Sequence, residues 1–297
     1  MAVITLTTDF GSLDGYVGMM KGVIHAINPQ ATVIDLTHEV EPQNILNGAY
    51  HLFNAHRHFA PGTIHVAVVD PGVGTNRRAI GMKIAERGYF IGPDNGLFSY
   101  FLNTYADLQV RELNNPAFHL SEISNTFHGR DIFAPVAAFL SRDAPFEQLG
   151  AVLDPSALVR LENILPEWHN LPDTKKILKG RVLHIDHFGN VISNIRREQL
   201  AHFGQEALNN ARVSVPGQLL ANGIRETYGA AENGEIIALF GSGGYLEIAQ
   251  VNEQAAYVTT LIENSIYLKQ RVVQIGFPFE VELPYWASNV PDLPPLL

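Results

Sequence analysis

Four groups of ionisable residues sit beside turn signals in the first half of the chain. They are Asp9 with Asp14, Asp70 with Arg77 and Arg78, Asp94 beside Asn95, and His128 with Arg130 and Asp131. Carboxylate, guanidinium and imidazole groups gathered at one sheet edge would make one site for proton transfer and charge pairing. The central group follows Val66-Ala67-Val68-Val69, a β-compatible run that ends at Asp70-Pro71-Gly72-Val73-Gly74. Pro71 stops a ladder and the two glycines permit positive φ, so the chain can turn sharply after Asp70. In open α/β sheets ligands bind outside the carboxyl ends of the strands, which is where Asp70 falls. Each group also has a purely structural role open to it. Asp70 can cap its turn and pair with Arg77 or Arg78, and Asp9 can cap its own turn. His128 and Asp131 can cap the following helix, and Asp94-Asn95-Gly96 can be a turn.

Two stretches in the second half are comparable. Asp186-His187-Phe188-Gly189-Asn190 places acid, imidazole and amide at a strand end, in what could equally be a polar hairpin turn. Gly241-Ser242-Gly243-Gly244 offers backbone N–H groups to an anion such as a carboxylate, or forms a plain hairpin. It lacks the Lys-Ser/Thr of a phosphate-binding loop and no helix follows it. No histidine pair has metal-ligand spacing on one predicted helix. A metal site from Asp9, Asp70 and His128 is not signalled by spacing.

The elements that must hold these residues follow from periodicity. Residues 2–8, 32–36 and 63–69 read as strands, with helices over 16–27 and 44–59 between them. This alternation predicts an α/β domain, a mostly parallel sheet with helices on both faces. A further strand pair is expected over 78–85 and 89–91, and helices over 97–102 and 132–140. Beyond Gly180 short alternating segments at 181–185, 211–215, 235–240, 245–249 and 272–277 predict an antiparallel, small barrel-like β domain. The prolines at 155, 166 and 172 place the boundary near 165–178, giving domains of 1–170 and 178–297.

The chain has 297 residues and no cysteine, which excludes disulfides and thiolate metal sites and fits a cytoplasmic location. The N-terminus reads as a strand, not a signal peptide, and no apolar run reaches membrane-spanning length. With 20 basic and 30 acidic residues the formal net charge is −10. That balance argues against nucleic acid or a membrane as partner.

In order, Thr8-Asp9-Phe10-Gly11 with Asp14, Val69-Asp70-Pro71-Gly72-Val73-Gly74-Thr75, Pro93-Asp94-Asn95-Gly96, Thr126-Phe127-His128-Gly129-Arg130-Asp131, Asp186-His187-Phe188-Gly189-Asn190 and Ser242-Gly243-Gly244-Tyr245-Leu246 resemble the S-adenosyl-L-methionine (SAM) hydrolases, or SAM hydroxide adenosyltransferases, relatives of the fluorinase and chlorinase. The resemblance implies SAM hydrolysis to adenosine and methionine, without metal or cofactor, by a homotrimer with sites shared between subunits. By position it implies Asp70, Arg77 and His128 as the catalytic set, with Arg78 the fallback for Arg77. It implies Asp9 for the ribose hydroxyls, Asp14 in the methionine-facing loop, and Asp186 for the methionine ammonium. Asn190 would read adenine, Ser242 and Gly243 would hold the methionine carboxylate, and Asn252 would lie near the last adenine contact. The fluorinase has tyrosine at position 70, serine at position 129, and an inserted loop that falls near residues 86–88. An anionic Asp70 would repel a halide and accept a hydrogen bond from water. The competing classes are a metal-dependent nucleotidase, using Asp9, Asp70 and Asp94 as ligands, and a non-catalytic SAM or adenosine sensor.

Overall fold

The computed structural model describes residues 2–170, 176–262, 266–271, 273–284 and 287. The chain divides into two compact units, Met1–Glu162 and Asn163–Leu297.

In the first unit β1 (Val3–Thr8), α1 (Tyr16–Ile27), β2 (Thr32–Thr37), α2 (Ile45–His56), β3 (Ile64–Val68), β4 (Ala79–Ile84), β5 (Gly88–Pro93), α3 (Ser99–Thr104), β6 (Leu108–Glu112), α4 (Ala134–Leu140) and β7 (Val152–Leu153) follow in order. The strands form one sheet in the order β2-β1-β3-β5-β4-β6-β7. The first four of these are mutually parallel, and β4, β6 and β7 join them by antiparallel pairs. Every residue of β3 is buried, as expected of a central strand covered on both faces. Its alternate side chains face opposite ways. Ile64, Val66 and Val68 join Met20, Ile24 and the alanines of α4. His65 instead stacks on Phe90 at 4.9 Å, among the aromatic rings that also surround α2.

Strand register then positions the site. β1 pairs with β3 so that Thr8 lies opposite Val68. The next residues, Asp9 and Val69-Asp70, therefore leave the sheet side by side at the carboxyl edge. α2 comes close to this edge because position 48 is glycine; a Cβ there would stand 2.8 Å from Val69 Cγ2. Asn44 starts α2 by accepting from the Asn47 N–H at 3.1 Å.

The second unit holds β8 (Glu167–Asn170), β9 (Lys176–Ile185), β10 (Val191–Arg196), α5 (Arg197–Leu200), α6 (Gln205–Asn209), β11 (Arg212–Val215), β12 (Leu219–Asn222), β13 (Ile224–Arg225), β14 (Ile236–Phe240), β15 (Tyr245–Gln250), a hairpin of β16 (Tyr257–Ile262) and β17 (Ile266–Arg271), and β18 (Pro278–Glu282). Its main sheet runs β12-β11-β18-β9-β10-β15-β14-β13, with β8 on β9. It is nearly closed, barrel-like and antiparallel except where β13 meets β14. Val182, Val191, Ile195, Phe203, Phe279 and Val281 are among the side chains that fill its core.

Two expectations need correction. The region near 165–178 is not all linker, since Glu167–Asn170 is a strand paired with Lys176–Lys179. The strand expected over 272–277 lies further on: residues 273–277 carry a turn, and the strand is Pro278–Glu282. Position 272 itself is outside the described residues. Among the described residues no helix is long and apolar enough to cross a membrane.

Candidate active site

Asp9, Asp70 and His128 line one cleft of about 400 Å³ at the carboxyl edge of the first sheet. Phe10, Tyr16, Pro42, Gln43, Val73 and Phe127 are further walls. The turn after Asp70 is tied by Val73 N–H to the Asp70 carbonyl at 3.2 Å and by Thr75 Oγ1 to the Gly72 carbonyl at 2.6 Å. It brings Arg77 back onto Asp70. Arg77 Nε lies 3.0 and 2.9 Å from the two carboxylate oxygens of Asp70, and Nη2 also donates to Oδ2. The same Nη2 donates to His128 Nδ1 at 2.8 Å. One guanidinium thus clamps both the acid and the imidazole, with its own face 5.4 Å over the Phe133 ring.

This contact sets the imidazole tautomer. A guanidinium has no acceptor, so Nδ1 must accept and the proton of the neutral ring must sit on Nε2. Burial lowers the His128 pKa, and Arg77 lowers it further against the opposing pull of Asp70 and Asp131. His128 is therefore neutral near pH 7, with Nε2–H as a donor.

Asp9 Oδ2 accepts from the Gln43 backbone N–H at 2.8 Å. Burial raises its pKa; the N–H groups of Gln43 and of Asp9 itself oppose this, and the charge of Asp70 adds to it. Gln43 holds a positive φ of 63°, an uncommon backbone state for a residue with a side chain. Sequence reading missed Gln43, because nothing in Pro42-Gln43-Asn44 announces that conformation. Phe10, Tyr16 and Phe127 pack edge to face with centroids 5.3–5.9 Å apart and wall the cleft beside His128.

Other residues from the sequence reading are placed elsewhere. Arg78 pairs with Asp94, Nε to Oδ2 at 2.9 Å, and Asp94 Oδ1 accepts from the Val159 N–H at 2.9 Å. Asp94 is 4% exposed and does not line the cleft, so it does not join Asp9 and Asp70 as a metal-binding set would need. Asn95 ties the loop to the sheet through the Val69 carbonyl at 2.8 Å. Asp131 does not cap the helix. It accepts from the Ser124 N–H at 2.8 Å and from Arg130, fixing the loop that carries His128. Asp14 is exposed ahead of α1 and is not brought to the cleft.

In the second unit Asp186 Oδ1 accepts from the N–H groups of Phe188 and Asn190, both at 2.9 Å, and Oδ2 from Asn190 Nδ2 at 3.0 Å. The Gly-rich stretch is the hairpin turn between β14 and β15, closed by Gly241 N–H to the Tyr245 carbonyl at 2.9 Å. Ser242 and Gly243 keep their N–H groups free of partners among the described residues. Asn252 sits in the turn after β15 at a φ of 58° and donates to Asn233. Tyr228 and Glu247, which sequence reading did not single out, extend the Asp186–Asn190 pair inward.

An α/β unit with an acid at the end of a parallel strand, a guanidinium and an imidazole brought onto it by neighbouring loops, and a following barrel-like β unit are the features of an enzyme. The family model for the SAM hydroxide adenosyltransferase N-terminal domain matches residues 4–150, and that for the C-terminal domain residues 180–265. The (R)-S-adenosyl-L-methionine hydrolase of Methanocaldococcus jannaschii is 34% identical over 86% of this chain and 90% of its own length. The fluorinase of Nocardia brasiliensis is 29% identical over 86% of this chain and 92% of its own. The crystal structure of an uncharacterized conserved protein from Thermotoga maritima has a TM-score of 0.80 at 35% identity, covering 94% of this chain and 99% of that one. The chain belongs to the SAM hydroxide adenosyltransferase family.

Proposed function

We propose that this enzyme hydrolyses S-adenosyl-L-methionine to adenosine and L-methionine. Water attacks ribose C5′, the new bond is C5′–O, and the C5′–S bond breaks with its electron pair passing to sulfur. A sulfonium becomes a neutral thioether, so no leaving anion needs stabilising. The site has to hold one water in line and strip it of competing solvent. The observation that carries the reading is the Arg77 clamp on Asp70 and His128 at the wall of a cleft shared with Asp9.

Asp70 is the general base and receives the proton of the attacking water. Arg77 pairs with it through both Nε and Nη2 and keeps it aimed. His128, with Nδ1 occupied by Arg77, donates from Nε2 to the water oxygen and fixes its position; it does not take the proton. Arg77 is not the base, since a guanidinium carries only donors and does not give up its proton in proteins. Asp9 accepts from the ribose hydroxyls. Asp186, Asn190, Asn252 and the free N–H groups of Ser242 and Gly243 serve the methionine and adenine ends, and Asp14 the methionine-facing loop. The reading includes a homotrimer with shared sites, a cytoplasmic location and no metal or cofactor.

Incubation with SAM should release adenosine and methionine at the same rate in EDTA, and added chloride should give no 5′-chloro product. Loss of activity in EDTA, or activity on a nucleotide instead, would identify a metal-dependent nucleotidase. Binding of SAM without turnover would identify a sensor. Asp70→Asn should still bind adenosine while turnover falls at least about 100-fold, the scale of a lost general base. Undiminished turnover would remove Asp70 from the mechanism.

A further inference from the structure

Behind Asp186 and Asn190 a chain of polar groups runs into the second unit. Glu247, on β15, is only 6% exposed. Its Oε1 accepts the hydroxyl proton of Tyr228. The Tyr228 oxygen accepts in turn from Asn190 Nδ2 at 3.4 Å. Asn190 Nδ2 also donates to Asp186 Oδ2 at 3.0 Å.

The chemistry fixes the direction of every link. Tyr228 donates its hydroxyl proton to a carboxylate oxygen of Glu247, and the amide nitrogen of Asn190 faces and donates to a carboxylate oxygen of Asp186. With its proton spent on Glu247, the Tyr228 oxygen can only accept from Asn190. Both N–H groups of the Asn190 amide are thereby committed. Its carbonyl Oδ1 makes no hydrogen bond among the described residues. It is left as a pure acceptor. The far side of Glu247 is braced against the Gly-rich turn, because a Cβ at Gly241 would lie 2.3 Å from Oε2.

We propose that Tyr228 and Glu247 are positioning residues that hold the Asn190 amide carbonyl-outward, so that the pocket accepts a purine with an exocyclic amino group and rejects its 6-oxo counterpart. The inference rests on the SAM hydrolase reading, in which Asn190 faces the base. An amino group donates to Oδ1. A 6-oxo group would set oxygen against oxygen and leave a polar pair unsatisfied, the kind of mismatch that discriminates strongly. Without the Tyr228 hydroxyl one N–H of the amide is released, the side chain regains a donor, and the distinction weakens.

The test is titration calorimetry of adenosine and of inosine against the full-length wild type, Tyr228→Phe and Glu247→Gln, alongside steady-state kinetics with SAM. Wild type should favour adenosine over inosine by more than about tenfold. Tyr228→Phe, at a half-exposed ring, should weaken adenosine binding about fivefold, the weight of one modest hydrogen bond, and shrink the adenosine-to-inosine ratio by a similar factor. Glu247→Gln should move the ratio the same way, and in both variants KM should change more than kcat. A ratio that stays at the wild-type value in both variants overturns the proposal, as does a loss confined to kcat. If wild type releases no adenosine from SAM and binds neither nucleoside, the hydrolase reading itself fails. If it hydrolyses SAM and only the ratio is unmoved, the positioning role fails alone.

Discussion

Two adjacent arginines have opposite duties, and the difference is geometric. Arg77 joins Asp70 to His128, whereas Arg78 joins buried Asp94 to the Ala157 carbonyl. A lysine at 77 has one ammonium centre and cannot span both partners as a fork does. Arg77→Lys should therefore lower kcat at least about tenfold with thermal stability retained, as the loss of aim and charge at a base would do. Arg78→Ala should instead leave Asp94 without its cation and cost about 2 kcal/mol of stability, measured by urea unfolding. If the kinetic loss follows 78 and the stability loss follows 77, the roles are reversed. Asp9 supplies a pH test. Burial and the charge of Asp70 both raise its pKa, so the ribose binding proposed for the ionised form should be lost as pH falls through a value above the group's ordinary one. Asp70→Asn removes one raising cause, and the acid limb of adenosine binding should move to lower pH. A limb that moves up, or stays, would dissociate the two carboxylates.

At the scale of elements, the site depends on how closely two loops pack. The turn after β3 passes under the segment that delivers His128, and Gly74 lies at the contact with a φ of 76°. A Cβ there would meet the Asn125 carbonyl oxygen at 2.3 Å. Gly11 has a similar φ of 68° but open space around it. Gly11→Ala should cost only the left-handed backbone penalty, about 1 kcal/mol. Gly74→Ala should cost more than that and also lower kcat, because the 125–128 loop has to shift and takes His128 from Arg77. Equal effects of the two substitutions would show that this packing does not matter to the site. The elements on the parallel side of the sheet were legible because a loose alternation, a helical period or an apolar run is bounded by turn signals such as Pro, Gly or Asn. β6 was not, since Leu108-Gln-Val-Arg-Glu112 is a mostly polar strand that shows its pairing only once β4 lies beside it. Asp70, Arg77 and His128 could be read from motif order. Gln43, Tyr228 and Glu247 could not, because a positive φ and a cross-strand hydrogen bond have no local signature.

Across the whole molecule, two buried histidines that do not line the cleft contribute to acid stability. His65 and His56 are 0% and 2% exposed, within an aromatic cluster of the first unit. Burial pushes the His65 pKa down to about 3 and the His56 pKa down to about 4. His65 Nδ1 shares a hydrogen bond with Thr5 Oγ1 at 2.8 Å, and its Nε2 has no partner among the described residues, so a second ring proton would be buried unsolvated. In the unfolded chain both rings protonate near pH 6.5. Above that pH neither state binds the proton and the histidines contribute no slope. Below it the unfolded state binds more protons than the folded one, and stability falls by about 1.4 kcal/mol per pH unit for each histidine. The slope persists to about pH 4 for His56 and about pH 3 for His65, where the folded rings take up protons as well. Urea unfolding followed by tryptophan-independent far-UV signal at pH 7, 6 and 5 should show this loss. His65→Phe keeps the stack on Phe90, gives up the Thr5 bond and removes one titrating ring. It should reduce the slope between pH 6 and 5 by about 1.4 kcal/mol per pH unit, the share of one ring, whatever it does to stability at pH 7. An unchanged slope in that variant would mean that His65 does not set the acid limit of the fold.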